Sequence, residues 1–331
     1  MDVHGLLYSQ IGYDLGDPMR AIIRGGSRDH IPDGTTFEVH QADGSLAADA
    51  RASEDGIAPG AASSTGEVRY WGAVWHGHWW EIDFSAIAEP GSYVISVTAP
   101  DTSGIYTSEP IRVARSLLWQ ETVVPVAVEQ MEGRQRLARN GIGWRDCGAE
   151  WREANSHATM IIALCRLVDA GWSWLEPETA DRIYDQIVHG CTYLGILQDA
   201  GEQTGAPEGA IIHEIPSHMD IIPGDSAQGA VALAYAARLL ADSRPEVARE
   251  LSARALAAMD YLLLEAQPHG PSGFSPMNHG APEDFRVPDE FMTRDLAMMM
   301  WGCVELYVGG HVEYKRHAVR LAREEIGRAH V

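Results

Sequence analysis

The chain has 331 residues, a 45% hydrophobic share and a formal net charge of −22. That length suits two domains of ordinary size, and an excess of acid this large repels phosphate backbones and anionic membranes, leaving neutral polar ligands as partners. No apolar run reaches the roughly 18 residues of a spanning helix, and the opening "MDVHGLLYSQIGYD" lacks the basic start and apolar stretch of a signal peptide. The expected location is therefore cytoplasmic, or extracellular if the true start lies upstream.

Residues 6–114 read as strands. "LLYSQIGYD", "RAIIRGG", "TFEVHQADGSLAA", "EVRYWGAVWHGHWWEIDFS" and "GSYVISVTAP" are short β-rich runs separated by turn signals such as Asp33-Gly34, Asp43-Gly44 and Pro90-Gly91. Tyr93, Ile95 and Val97 alternate with smaller or more polar neighbours, as in a half-buried strand. Strands in this number suggest a β-sandwich in which the "IGYD" and "YVISV" segments pair. "WHGHWW" sets His76 and His78 on one strand face, which reads as surface rather than as a metal site.

From Ser116 the period becomes helical. Ile161, Leu164, Cys165 and Val168 follow Asn155-Ser156, either of which can cap a helix start. Further core helices fall in "ADRIYDQIVHGCTYLGIL", "SAQGAVALAYAARLL", "EVARELSARALAAMDYLLLEA" and "DEFMTRDLAMMMWGCVELYVGG". Met292, Leu296, Met299, Cys303 and Leu306 form one apolar stripe, read as packing. Cys165, Cys191 and Cys303 read as buried thiols on helices, and Cys147 completes a set with no CxxC spacing. "HEIPSH" is no zinc motif, because His213 and His218 are five apart with Pro216 between them; a loop near a binding cleft is expected there. No metal or cofactor is expected anywhere.

The order of these pieces resembles glycoside hydrolase family 9. "SQIGYDLGDPMRAII", "WEIDFSAIAEPGSYVISV" and "YTSEPIRVARSLLW" resemble the immunoglobulin-like module that precedes many catalytic domains of that family. "GWRDCGAEW", residues 143–151, stands where the family carries Trp-x-Asp-Ala-Gly-Asp-Tyr. The resemblance implies an immunoglobulin-like β-sandwich over residues 1–114, then the first part of an (α/α)6 six-hairpin barrel over 115–325. It also implies inverting hydrolysis of β-1,4-linked glucans or oligosaccharides, with one carboxylate activating water and a distant acid protonating the leaving oxygen.

On that match Asp146 is the water-orienting carboxylate. Without a gap the second position is Ala149, which cannot take a proton; one inserted residue brings Glu150 into register as general base. Glu150 can equally be a solvated acid paired with Arg145 or Arg152. Trp144 and Trp151 can stack on sugar rings or serve as core, and Arg152 and His157 are expected hydroxyl contacts.

The last residues, "IGRAHV", back-translate to a common sequencing adapter, so 326–331 are expected to be an adapter-derived tail. About seven helices follow Ser116, against twelve in a complete barrel, and the family's acidic glutamate lies near the barrel's end. The expectation is a truncated hydrolase, inactive by itself for want of its acid. The competing reading, suggested by Ala149, is a non-catalytic carbohydrate-binding relative.

Overall fold

The alternating first third of the chain pairs into two sheets. A computed structural model describes residues 5–42, 64–100, 105–146, 150–171, 175–215, 219–268 and 290–328. Its strands are β1 Gly5–Leu7, β2 Tyr13–Asp14, β3 Arg20–Gly25, β4 Thr36–Gln41, β5 Ser64–Glu67, β6 Arg69–Val74, β7 Gly77–Asp83, β8 Gly91–Thr98, β9 Tyr106–Thr107 and β10 Ile111–Ala114. One sheet runs β1-β3-β7-β6; the other runs β2-β10-β8-β4-β5, with β9 on β8. Ala21, Ile23, Trp80 and Ile82 from the first sheet and Val39, Ile95, Val97 and Val113 from the second form one buried apolar cluster. Tyr93, Ile95 and Val97 are its β8 members, as their alternation predicts.

Two details differ from the sequence reading. The "IGYD" strand does not pair with β8 directly: β10 lies between them, parallel to β2 and antiparallel to β8. His76 is not on a strand either. Trp75 and His76 form the two-residue turn between β6 and β7, both with left-handed φ of +50° and +58°. The run lacks the Asn-Gly signal that such a turn favours, so its residue types read as continuous strand.

Two compact units result, Met1–Val123 and Val124–Val331. The first unit includes a short helix, α1 Leu117–Thr122. The Asp14 carboxylate accepts the Leu117 N–H and, at 3.3 Å, the Leu118 N–H, fastening that helix to the end of β2.

The second unit is helical: α2 Gln130–Leu137, α3 Ala154–Gly171, α4 Pro177–Gln203, α5 Pro223–Leu240, α6 Pro245–Leu264, α7 Thr293–Val308 and α8 Tyr314–Arg328. Proline opens α4, α5 and α6, where its missing N–H costs no helical bond. The small side chains of "AVALAYAA" let α5 be buried on nearly every side, against α3, α6 and α7. Cys165, Cys191 and Cys303 are free, buried thiols. Leu296, Met299, Cys303 and Leu306 are buried, but Met292 precedes α7 and is 47% exposed, so the stripe begins one turn later than its spacing suggests. Helix α3 opens at Ala154, which puts Asn155 and Ser156 inside its first turn rather than ahead of it. Cys147, Ala149, Pro216, His218, the Asp43-Gly44 signal and the end of the tail, 329–331, lie outside the described residues.

Candidate active site

Residues 142–146 and 150–153 are held from three helices. Trp144, 4% exposed, donates its indole N–H to Gln186 Oε1 of α4 at 2.9 Å, and Gln186 in turn donates to Gln135 of α2. Its ring stacks on His157 of α3, with centroids 5.2 Å apart at 13°. The approach is possible because Gly190 has no side chain; a Cβ there would lie 2.4 Å from the indole.

His157 is fixed as a neutral tautomer. Its Nδ1–H donates to the Glu153 carbonyl at 2.9 Å, while Nε2 accepts the Trp144 backbone N–H at 2.8 Å. Burial drives its pKa down from 6.5 to about 4, against a smaller upward pull from the Glu153 carbonyl. Arg152, also buried, donates to the carbonyls of Ile142 at 2.8 Å and Arg139 at 3.3 Å. Tyr193 closes the segment with a 2.5 Å bond to the Arg152 carbonyl. Both polar side chains that the sequence offered as sugar contacts therefore bond the segment's own backbone.

Asp146 lines a cavity of about 200 Å³ with Met131, Arg134, Trp144, Glu153, Ser156 and His157 among its walls. Glu150, Trp151 and Arg152 are not among those walls. Glu150 is 64% exposed at its side chain and sits 3.3 Å from Arg145. Trp151 is 47% exposed, and its carbonyl accepts the Asp146 N–H at 3.1 Å. The structure thus brings Trp144, Asp146 and His157 together and adds Glu153, which sequence reasoning missed.

Glu153 has company. Its Oε1 lies 3.8 Å from His213 Nε2, and His213 Nδ1–H donates to Asp225 Oδ2 at 2.6 Å. Burial disfavours charge on His213, but Asp225, Glu153 and Glu214 outweigh it and raise the imidazole above its ordinary value. Asp225 is in the first turn of α5 and Asp295 in the first turn of α7, each 3% exposed. Burial raises the Asp295 carboxyl against a downward pull from Arg294, and Asp225 raises it further. The N–H of Ala154, the first residue of α3, donates to the His213 carbonyl at 2.8 Å. The N-termini of α3, α5 and α7 thus converge on one acidic cluster. Among the described residues no group of three side chains is arranged to hold a metal.

No family model matches the sequence, and no curated protein matches it. Solved structures do match. A metagenome-derived glycoside hydrolase family 9 endoglucanase superposes with a TM-score of 0.67 at 18% identity, over 97% of this chain and 64% of that one. A Bacteroides ovatus family 9 protein gives 0.66 at 13% identity, over 96% and 64%. AaCel9A in complex with cellobiose-like isofagomine gives 0.62 at 14% identity, over 96% and 62%. The fold is that of the family 9 endoglucanases. The chain spans about 64% of the length of the first structures it matches.

Within this family 9 fold, Glu153 had one signal in the sequence: an acid directly before a helix start, in "WREANSH". His213 had another, as the expected loop residue near a cleft. Nothing in their separation along the chain joins the two.

Proposed function

We propose that the chain carries the water-activating part of an inverting β-glucan hydrolase of the family 9 type. In this reading the first unit is the immunoglobulin-like module and the second is the first part of an (α/α)6 barrel. Asp146 orients the attacking water. A neighbouring carboxylate takes its proton as the oxygen attacks the anomeric carbon, and an acid supplied from outside these residues protonates the departing oxygen. The 331 residues alone then turn over no cellodextrin.

Two glutamates compete for the base. Glu150 has the motif resemblance; Glu153 has position, and we assign the role to Glu153. What carries this assignment is that Asp146 and Glu153 line one cavity, with the His213–Asp225 pair behind Glu153.

The test is a comparison of Glu153→Gln with Glu150→Gln in the intact parent enzyme on cellodextrins. The first should lower turnover by about 10²-fold or more, and the second should leave it within a few-fold. The reverse pattern would return the base to Glu150. A second reading, a non-catalytic carbohydrate-binding relative, draws on Ala149 at the gapless motif position. It predicts an intact parent that binds cellodextrins and releases no reducing sugar.

A further inference from the structure

The outer face of the β1-β3-β7-β6 sheet carries aromatic surface that the core does not use. Ile22, Trp71, Val74, Trp75, Trp79 and Glu81 surround a cavity of about 220 Å³. Trp71 is 58% exposed and Trp75 84%. Each is presented by an irregularity of the backbone. The β6–β7 register breaks between Tyr70 and Gly72, so Trp71 occupies a bulge, a device that re-aims a side chain. Trp75 and His76 fill left-handed turn positions that favour Asn-Gly, and bulky residues there cost stability. Packing does not explain that cost, since Trp75 is almost wholly in solvent.

The polar groups beneath are arranged as well. Glu81 is 6% exposed although it alternates outward from Trp80; Arg69 at 2.6 Å and Arg20 at 3.3 Å neutralise it. The Arg24 guanidinium lies 5.6 Å over the Trp79 ring, whose N–H donates to the Val74 carbonyl at 3.0 Å.

We propose that this face binds a neutral, β-linked polysaccharide chain. The electron-rich faces of exposed indoles complement the C–H-lined faces of pyranose rings, which carry partial positive charge. The cavity is lined almost wholly by apolar surface, and Glu81 in its floor is already paired with Arg69 and Arg20, so stacking on the indoles carries the binding. A net charge of −22 selects against anionic chains of the same shape. An extended β-linked ribbon can lie along a sheet face, whereas a coiled α-linked chain curves away from it. Binding here is separate from hydrolysis in the helical unit; only the choice of a glucan as probe rests on the function proposed above.

Affinity electrophoresis of the 331-residue chain through native gels containing hydroxyethyl cellulose tests the site. Wild type should be retarded, and Asp146→Asn and Glu153→Gln equally so. Trp71→Ala and the double change Trp75→Asn/His76→Gly should each weaken retention by about fivefold or more. The double change relieves the turn, so its melting temperature should not fall, which separates lost binding from lost folding. No retardation of wild type, or equal retardation of the tryptophan variants, would overturn the proposal. So would loss of retention in Asp146→Asn, which would trace binding to the helical cavity. A dimer seen by sedimentation and dissolved by the double change, without any gel retention, would assign the face to a second copy and overturn it too.

Discussion

Acid should loosen the helical unit through His157. The ring is 2% exposed, accepts the Trp144 N–H and cannot take a proton without losing that bond. Its pKa is about 4 in the folded chain against 6.5 for the free side chain. Because the folded value is the lower one, the unfolded state binds more protons between those two points, and stability falls as pH falls through that window. Above about pH 6.5 both states are neutral and the ring imposes no penalty. At pH 5 the imbalance amounts to about 2 kcal/mol, rising to about 3 kcal/mol below pH 4. The assay is urea unfolding followed by helical circular dichroism from pH 7.5 to 4.5, for wild type and His157→Gln. Glutamine can still accept the Trp144 N–H but does not titrate. The variant should lose about 2 kcal/mol less than wild type between pH 7 and pH 5. Groups common to both proteins, His213 among them, cancel in the comparison. Parallel pH profiles would refute the assignment of a buried, neutral His157.

Removing the Asp225 carboxylate should expose the opposing effects on His213. Asp225→Asn takes away a 2.6 Å charged partner while burial remains, so the imidazole should titrate at lower pH, as read by NMR of its ring nitrogens. An unchanged titration would mean that Asp225 does not hold the ring. Gly209→Ala should destabilise the helical unit by about 2–4 kcal/mol in the same urea assay. Residue 209 has φ +81°, and a Cβ there would lie 2.2 Å from the Ala257 carbonyl oxygen. In the first unit, Trp80→Ala should cost about 3–5 kcal/mol, since that ring is 1% exposed in the shared core. A loss below 1 kcal/mol would show that the two sheets do not close on it.

Local pattern determined much of this protein. Period-two alternation in "SYVISV" and helical spacing from Ile161 to Val168 and from Leu296 to Leu306 placed strand, helices and buried faces, because each face must leave water whatever lies opposite. The motif resemblance of "GWRDCGAEW", rather than periodicity, singled out Trp144 and Asp146, with His157 among the next polar side chains, and these three do meet around one cavity. What the polar side chains there do was decided by the tertiary structure. Arg152 and His157 turn to the loop's own carbonyls and N–H groups because buried backbone must be paired, a demand that no spacing of residue types reveals. The turn at Trp75-His76 was hidden for a related reason: its conformation runs against the preference of its residues. Glu153 and His213 are sixty positions apart and meet only because the N-termini of α3 and α5 converge. Periodicity says that those helices are amphipathic or buried; only their packing says which ends come together.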